Sequence, residues 1–130
     1  KLQAVNMVET NVYPAFPTDL QAPLVSLLSV CAGTSVVKEN IFESRFKYVT
    51  ELNKMGANIK VKNNVAFIEG VDCLSGAEVW ATDLRGGAGL VLAGLSAGGY
   101  TTIHNVEHIL RGYSDLDQKL NSIGAMIKYK

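Results

Sequence analysis

Between Asp19 and Cys31 the chain reads DLQAPLVSLLSVC, with Leu20, Leu24, Leu27, Leu28 and Cys31 at helical spacing, and Gly33 then ends the pattern. A helix is predicted there. The β-branched run TSVVKE follows and reads as a strand, after which YVTELNKMGA sets Val49, Leu52 and Met55 on one face and offers Gly56 as a C-terminal cap. That is a second helix. NIKVK and VAFIEG alternate apolar and polar residues around Asn63-Asn64, which predicts a hairpin whose asparagine takes the left-handed conformation. The later half has the same order: a helix from Asp83 to about Ala97, a strand YTTIHN, a helix SDLDQKLNSIGA and a strand AMIKYK. One more strand, LQAVNMVE, opens the chain and leads into a turn at Pro14 and Pro17, while Trp80 is assigned to the core or to a packed turn. The expected class is α+β, with helices packed on mixed sheets.

The recurrence extends to individual residues. Thr18-Asp19-Leu20 matches Thr82-Asp83-Leu84, Ala32-Gly33-Thr34 matches Ala97-Gly98-Gly99, and Asn40-Ile41 matches Asn105-Val106. Arg45 matches Arg111, and Met55-Gly56-Ala57 matches Ile123-Gly124-Ala125. Two similar units of about 65 residues result, one from about residue 5 to 66 and the other from about 67 to 130, within a single domain.

Composition narrows the function classes. The 130 residues are 48% hydrophobic, enough for a real core, and 12 basic residues balance 12 acidic ones, so no global field favours nucleic acid or an anionic membrane as partner. Cys31 and Cys73 have neither CxxC spacing nor a nearby histidine pair, which argues against a disulfide framework or a zinc site and fits a reducing cytoplasm. No apolar run approaches the roughly 20 residues that span a bilayer. Lys1 to Thr10 lacks the apolar core of a signal peptide, and a start without methionine leads us to expect a piece of a longer polypeptide.

Asp19 and Asp83 each follow a threonine at a predicted helix start. As caps, Thr18 would serve the first helix with Gln21 at the capping-box position, and Thr82 the other, where Arg85 replaces the glutamine. The arginines read differently. Arg45 lies in IFESRF between Phe42 and Phe46, and Arg111 in HILRGY, each just past a strand and before a helix, where loops commonly carry function. A guanidinium fork binds carboxylate or phosphate, so an anionic substrate is expected. His104 and His108 do not share a helix face and are assigned no metal. RGGAGLVLAG has no P-loop lysine, so its glycines are read as close helix packing.

YPAFPTDLQAP, IFESRF, ELNKMGA, ATDLRGGAGLVLAG and HILRGYSDLDQKLNSIGA together resemble the carboxyl-terminal part of the enolpyruvyl transferase family, in its bacterial UDP-N-acetylglucosamine 1-carboxyvinyltransferase branch. The resemblance runs in order along essentially the whole chain. It implies repeated βαβαββ-type units forming an inside-out α/β barrel. It also implies transfer of enolpyruvyl from phosphoenolpyruvate to UDP-N-acetylglucosamine with release of phosphate, in cytoplasmic cell-wall synthesis, without metal or organic cofactor. Asp19 would then be the general base at the acceptor hydroxyl, with Arg45 and Asp83 holding it and the reacting groups. Thr18, Ile41, Phe42 and Arg85 would contact substrate, the Ile41-Phe42 stretch lying along the sugar nucleotide, and Arg111 would bind the anionic end of phosphoenolpyruvate. The family's loop cysteine (or aspartate), amino-terminal lysine and asparagine, and further phosphate-binding arginines have no counterpart in this chain. An isolated piece is accordingly expected to be inactive, to need the remainder of the enzyme, and to self-associate. The alternatives are a piece of the shikimate-type transferases, and a non-catalytic folding or interaction module.

Overall fold

The computed structural model describes residues 2–11, 16–42, 45–110, 116–121 and 124–127. Strands β1 (Val8–Glu9), β2 (Thr34–Lys38), β3 (Asn58–Lys62) and β4 (Val65–Glu69) form one mixed sheet in the order β1-β2-β4-β3. β1 runs parallel to β2, while β2 and β3 are both antiparallel to β4. The register places Ser35 opposite Ile68, Val37 opposite Ala66 and Ile59 opposite Ile68, so the buried positions share one face. Phe67 stays exposed on the other, and Val61, on the same face as Ile59, is exposed on the edge strand β3. Helices α1 (Gln21–Leu28) and α2 (Val49–Lys54) cover the buried face, where Val25, Val37, Leu52, Met55 and Ile68 are fully buried.

In the later half, β5 (Glu78–Trp80) pairs in parallel with β6 (Thr102–His104), and α3 (Leu84–Ser96) packs along α1. Two shorter helices follow, α4 (Glu107–Leu110) and α5 (Leu116–Asn121). Contact between α1 and α3 is close because α3 presents glycine. A Cβ at Gly89 would sit 3.0 Å from the Ala22 carbonyl oxygen, and the Ser26 hydroxyl donates to the Gly89 carbonyl at 2.7 Å. The glycine run is therefore packing, as its sequence indicated.

Several elements depart from the sequence pattern. The opening strand is shorter than LQAVNMVE, because the N–H of Val5 is taken by the Ser35 hydroxyl at 3.0 Å instead of a main-chain carbonyl. The first helix begins as a 3-10 turn, Thr18–Leu20, before α1. β5 and α4 were not anticipated. Trp80 lies on β5 with 40% exposure, neither core nor packed turn, and its ring is stacked on His104 at 4.8 Å with the Lys54 ammonium 4.9 Å from its centroid. Of the last predicted strand, Ala125–Ile127 is not in a ladder, and residues 128–130 lie outside the described residues, as do residues 114, 115, 122 and 123 of the preceding predicted helix.

The hairpin and the helix end formed as expected, with Asn63 at φ 56° and Gly56 at φ 96°. Beyond Gly56, the Asn53 amide clamps Ile59 from both sides, Nδ2 donating to its carbonyl at 3.0 Å and Oδ1 accepting from its N–H at 3.1 Å. Asn121 does the same to Ile127, at 3.0 and 2.8 Å, around Gly124 at φ 111°.

The turn after β4 is fixed by another close approach. A Cβ at Gly70 would lie 1.5 Å from the Cys31 carbonyl oxygen, and that oxygen belongs to backbone that cannot rotate away. Gly70→Ala is expected to destabilise the chain by about 3 kcal/mol or more, the upper range for overpacking. Urea unfolding of the two proteins measures it, and a difference below about 1 kcal/mol would show that the backbone yields easily.

Candidate functional site

The two Thr-Asp-Leu segments, alike in sequence, do different things. Asp83 is itself the N-cap of α3: its backbone is extended and its Oδ1 accepts from the N–H of Gly86 at 2.7 Å. The capping residue is thus the aspartate and not Thr82. At the earlier segment the N-cap position is Pro17, with no side-chain cap at all. Thr18 and Gln21 do not form a capping box. Both instead point to Glu39, at the end of β2, whose Oε1 accepts from the Thr18 hydroxyl at 2.8 Å and the Gln21 amide at 2.9 Å.

Relieved of capping, Asp19 projects outward. Its side chain is 65% exposed, and one oxygen is held by Nε of Arg85 in the first turn of α3. This ion pair joins residues from the two halves of the chain, and it is Arg85, not Arg45, that partners Asp19. Arg45 lies over the Phe42 ring, 4.3 Å from its centroid, a cation–π arrangement at a half-exposed aromatic. Together with Glu39, Phe46, Lys47 and Asn64 they border an open pocket of about 490 Å³. Ile41 is half-buried beside Phe42, and the N–H groups of both donate to Oε2 of Glu39 at 3.0 and 3.1 Å. Arg111 lies outside the described residues.

Electrostatics follow from these contacts. Burial of Glu39 works to raise its carboxyl pKa, but hydrogen bonds from Thr18, Gln21, the Phe42 backbone and Thr10 outweigh it and hold the group below the usual carboxylate range. Behind it, the buried Tyr48 hydroxyl donates to Oε1 of Gln21. Burial, then the negative charges of Asp83 and Glu39, push that phenol well above its usual range, so it remains a donor. A buried polar chain therefore runs Tyr48–Gln21–Glu39 beneath the turn that carries Asp19.

On another side α1 and α3 leave an apolar groove of about 480 Å³ lined by Leu20, Leu24, Leu27, Val30 and Leu92. His104 pairs with Glu78 at 2.7 Å, and among the described residues no group of three His, Cys, Asp or Glu side chains is placed to hold a metal. Nor is any described helix long and apolar enough to cross a membrane. Cys31 is buried, its thiol on the Leu27 carbonyl at 3.3 Å, and Cys73 is exposed.

Sequence reasoning gave Asp19, Phe42 and Arg45 their prominence but missed Glu39. The only visible signal was an acidic residue closing a β-branched strand, KENIF, which is ordinarily a solvated end.

The family model described as EPSP synthase (3-phosphoshikimate 1-carboxyvinyltransferase) matches residues 1–120. The chain is 56% identical over 125 residues to UDP-N-acetylglucosamine 1-carboxyvinyltransferase 2 of Caldanaerobacter subterraneus subsp. tengcongensis, an alignment covering 96% of this chain and 30% of that protein. To UDP-N-acetylglucosamine 1-carboxyvinyltransferase of Thermotoga petrophila it is 53% identical over 122 residues, covering 94% and 29%. Among solved structures, the enolpyruvyl transferase NikO from Streptomyces tendae superposes with a TM-score of 0.86 at 32% identity, over 98% of this chain and 29% of that one. An EPSP synthase from Acinetobacter baumannii shares the fold, with a TM-score of 0.68 at 20% identity, over 98% of this chain and 29% of that one. The chain spans 30% or less of the length of these relatives.

Proposed function

The chain belongs to the EPSP synthase family of enolpyruvyl transferases, and from that premise we propose that it forms part of an enzyme moving enolpyruvyl from phosphoenolpyruvate to UDP-N-acetylglucosamine, in peptidoglycan synthesis. The acceptor hydroxyl oxygen adds to the central carbon of phosphoenolpyruvate as its proton passes to a base and the methylene carbon takes up a proton. Loss of phosphate from the adduct, with loss of a proton from the resulting methyl group, then restores the double bond. Asp19 is the base in this reading. Arg85 orients it, Ile41 and Phe42 border the sugar nucleotide, Arg45 and Asp83 support the reacting groups, and Arg111 takes the anionic end of phosphoenolpyruvate.

The observation that carries this is the state of Asp19. An aspartate at a helix start that caps nothing, stands exposed and is steered by an arginine from the other half of the chain is arranged to meet a ligand. Two units, about residues 5–66 and 67–130, each supply one helix start to that meeting. The paired Asn53 and Asn121 clamps support that division.

Choice of acceptor separates this reading from the shikimate-type one that the family description also covers. With the complete polypeptide and phosphoenolpyruvate, phosphate release is expected on adding UDP-N-acetylglucosamine and not on adding 3-phosphoshikimate. The reverse result would assign the chain to the other branch.

A further inference from the structure

Glu39 is 3% exposed, and its two oxygens face different segments. Oε1 takes hydrogen bonds from Thr18 and Gln21, the residues on either side of the Asp19–Leu20 step, at 2.8 and 2.9 Å. Oε2 takes them from the N–H groups of Ile41 and Phe42 at 3.0 and 3.1 Å. Its own backbone is pinned as well, the N–H donating to the Asn64 carbonyl and the carbonyl accepting from the Asn64 amide, both at 2.8 Å. Burying a carboxylate is unfavourable unless it is fully bonded, and closing a strand end needs far fewer than four donors. Thr10 aside, the donors come from the two segments that bear the acidic group and the aromatic wall, so the span of one carboxylate sets the distance between them.

We propose that Glu39 is a positioning residue for enolpyruvyl transfer, its carboxylate clamping the Asp19 turn against the Ile41–Phe42 segment so that base and acceptor hydroxyl meet. This rests on the reading of Asp19 as the base. An anion accepts on all four lone-pair sites at once. A glutamine has the same shape but only one accepting oxygen, and its NH2 must face either the two backbone donors or the Thr18 and Gln21 donors. One side then lets go. A displacement of about 1 Å at a reacting group costs on the order of 10²-fold in rate.

The test is a double-mutant cycle in the complete enzyme, assayed well below the melting temperature of every variant. Glu39→Gln is expected to lower kcat by about 10²-fold. KM for phosphoenolpyruvate should stay within about twofold, because that substrate's binding is not routed through the clamp. In the Asp19→Asn background the same change should cost less than about threefold, since a base that is gone cannot be mispositioned. Equal losses in both backgrounds would make Glu39 merely structural and overturn the proposal. So would normal kcat in Glu39→Gln beside an inactive Asp19→Asn, a result that leaves the base reading standing. Normal turnover in Asp19→Asn removes the base reading and this proposal with it. Should Glu39→Gln fail to fold, Gln21→Met removes a single donor at nearly constant volume and must show the same coupling, and its additivity with Asp19→Asn would overturn the proposal equally.

Discussion

Asp19→Asn in the complete enzyme is expected to lower turnover by about 10² to 10⁴, the range that general-base catalysis contributes, while leaving the fold in place. Asparagine keeps the shape of the side chain and loses its ability to take a proton. Little stability is at stake, because the aspartate caps no helix and its ion pair with Arg85 is largely exposed. Such surface pairs contribute about 0 to 1 kcal/mol. Asp83→Asn is the internal comparison at the other Thr-Asp-Leu segment. There the side chain accepts from Gly86, a bond asparagine can also accept, so both stability and rate should change less than at Asp19. Steady-state rates and melting temperatures of the two variants decide it. If Asp19→Asn kept more than about a tenth of normal turnover, Asp19 would be a surface charge and not the base.

The second large effect concerns the 130-residue chain by itself, which is expected to give no measurable enolpyruvyl transfer. It matches 30% or less of its relatives' length. Transition-state stabilisation by groups that act as a unit collapses when part of the set is absent, by far more than one residue's share. The groove between α1 and α3, with Leu27 and Leu92 47% and 41% exposed, leaves this piece an exposed apolar surface. Phosphate release from phosphoenolpyruvate and UDP-N-acetylglucosamine is the assay, and clear turnover by the purified chain would overturn the expectation.

Local pattern carried the elements whose period is visible within a few residues. β2 is a β-branched run, β3 and β4 alternate, α2 has Val49 and Leu52 on one face, and Asn63 and Gly56 mark their turns. β5 is three residues long and offers too little alternation to declare a period. Thr18 was misread for a different reason. A hydroxyl before a helix prefers the nearest orphan N–H only if nothing stronger competes, and the carboxylate of Glu39, 21 residues away in sequence, is a stronger acceptor. Pairing of Arg85 with Asp19 depends on how closely α3 lies on α1, which no spacing within either helix encodes. Asp19 itself was legible as a candidate because it recurs as Asp83, yet the recurrence could not say which of the two does the capping.

The glycines of α3 also bear on whether the two halves can be parted. Gly86, Gly87, Gly89 and Gly94 occupy four of its 13 positions, and each lowers helix stability by about 1 kcal/mol relative to alanine. Alone in water such a segment is no helix. Its helical form is lent by α1, through the seat of Gly89 on Ala22 and the bond from Ser26. Cutting the chain between its repeats would therefore not yield two smaller proteins. The second half would lose α3, its longest helix among the described residues, and with it the rigid mount of Arg85, so the recurrence of residues along the sequence does not mark a thermodynamic seam.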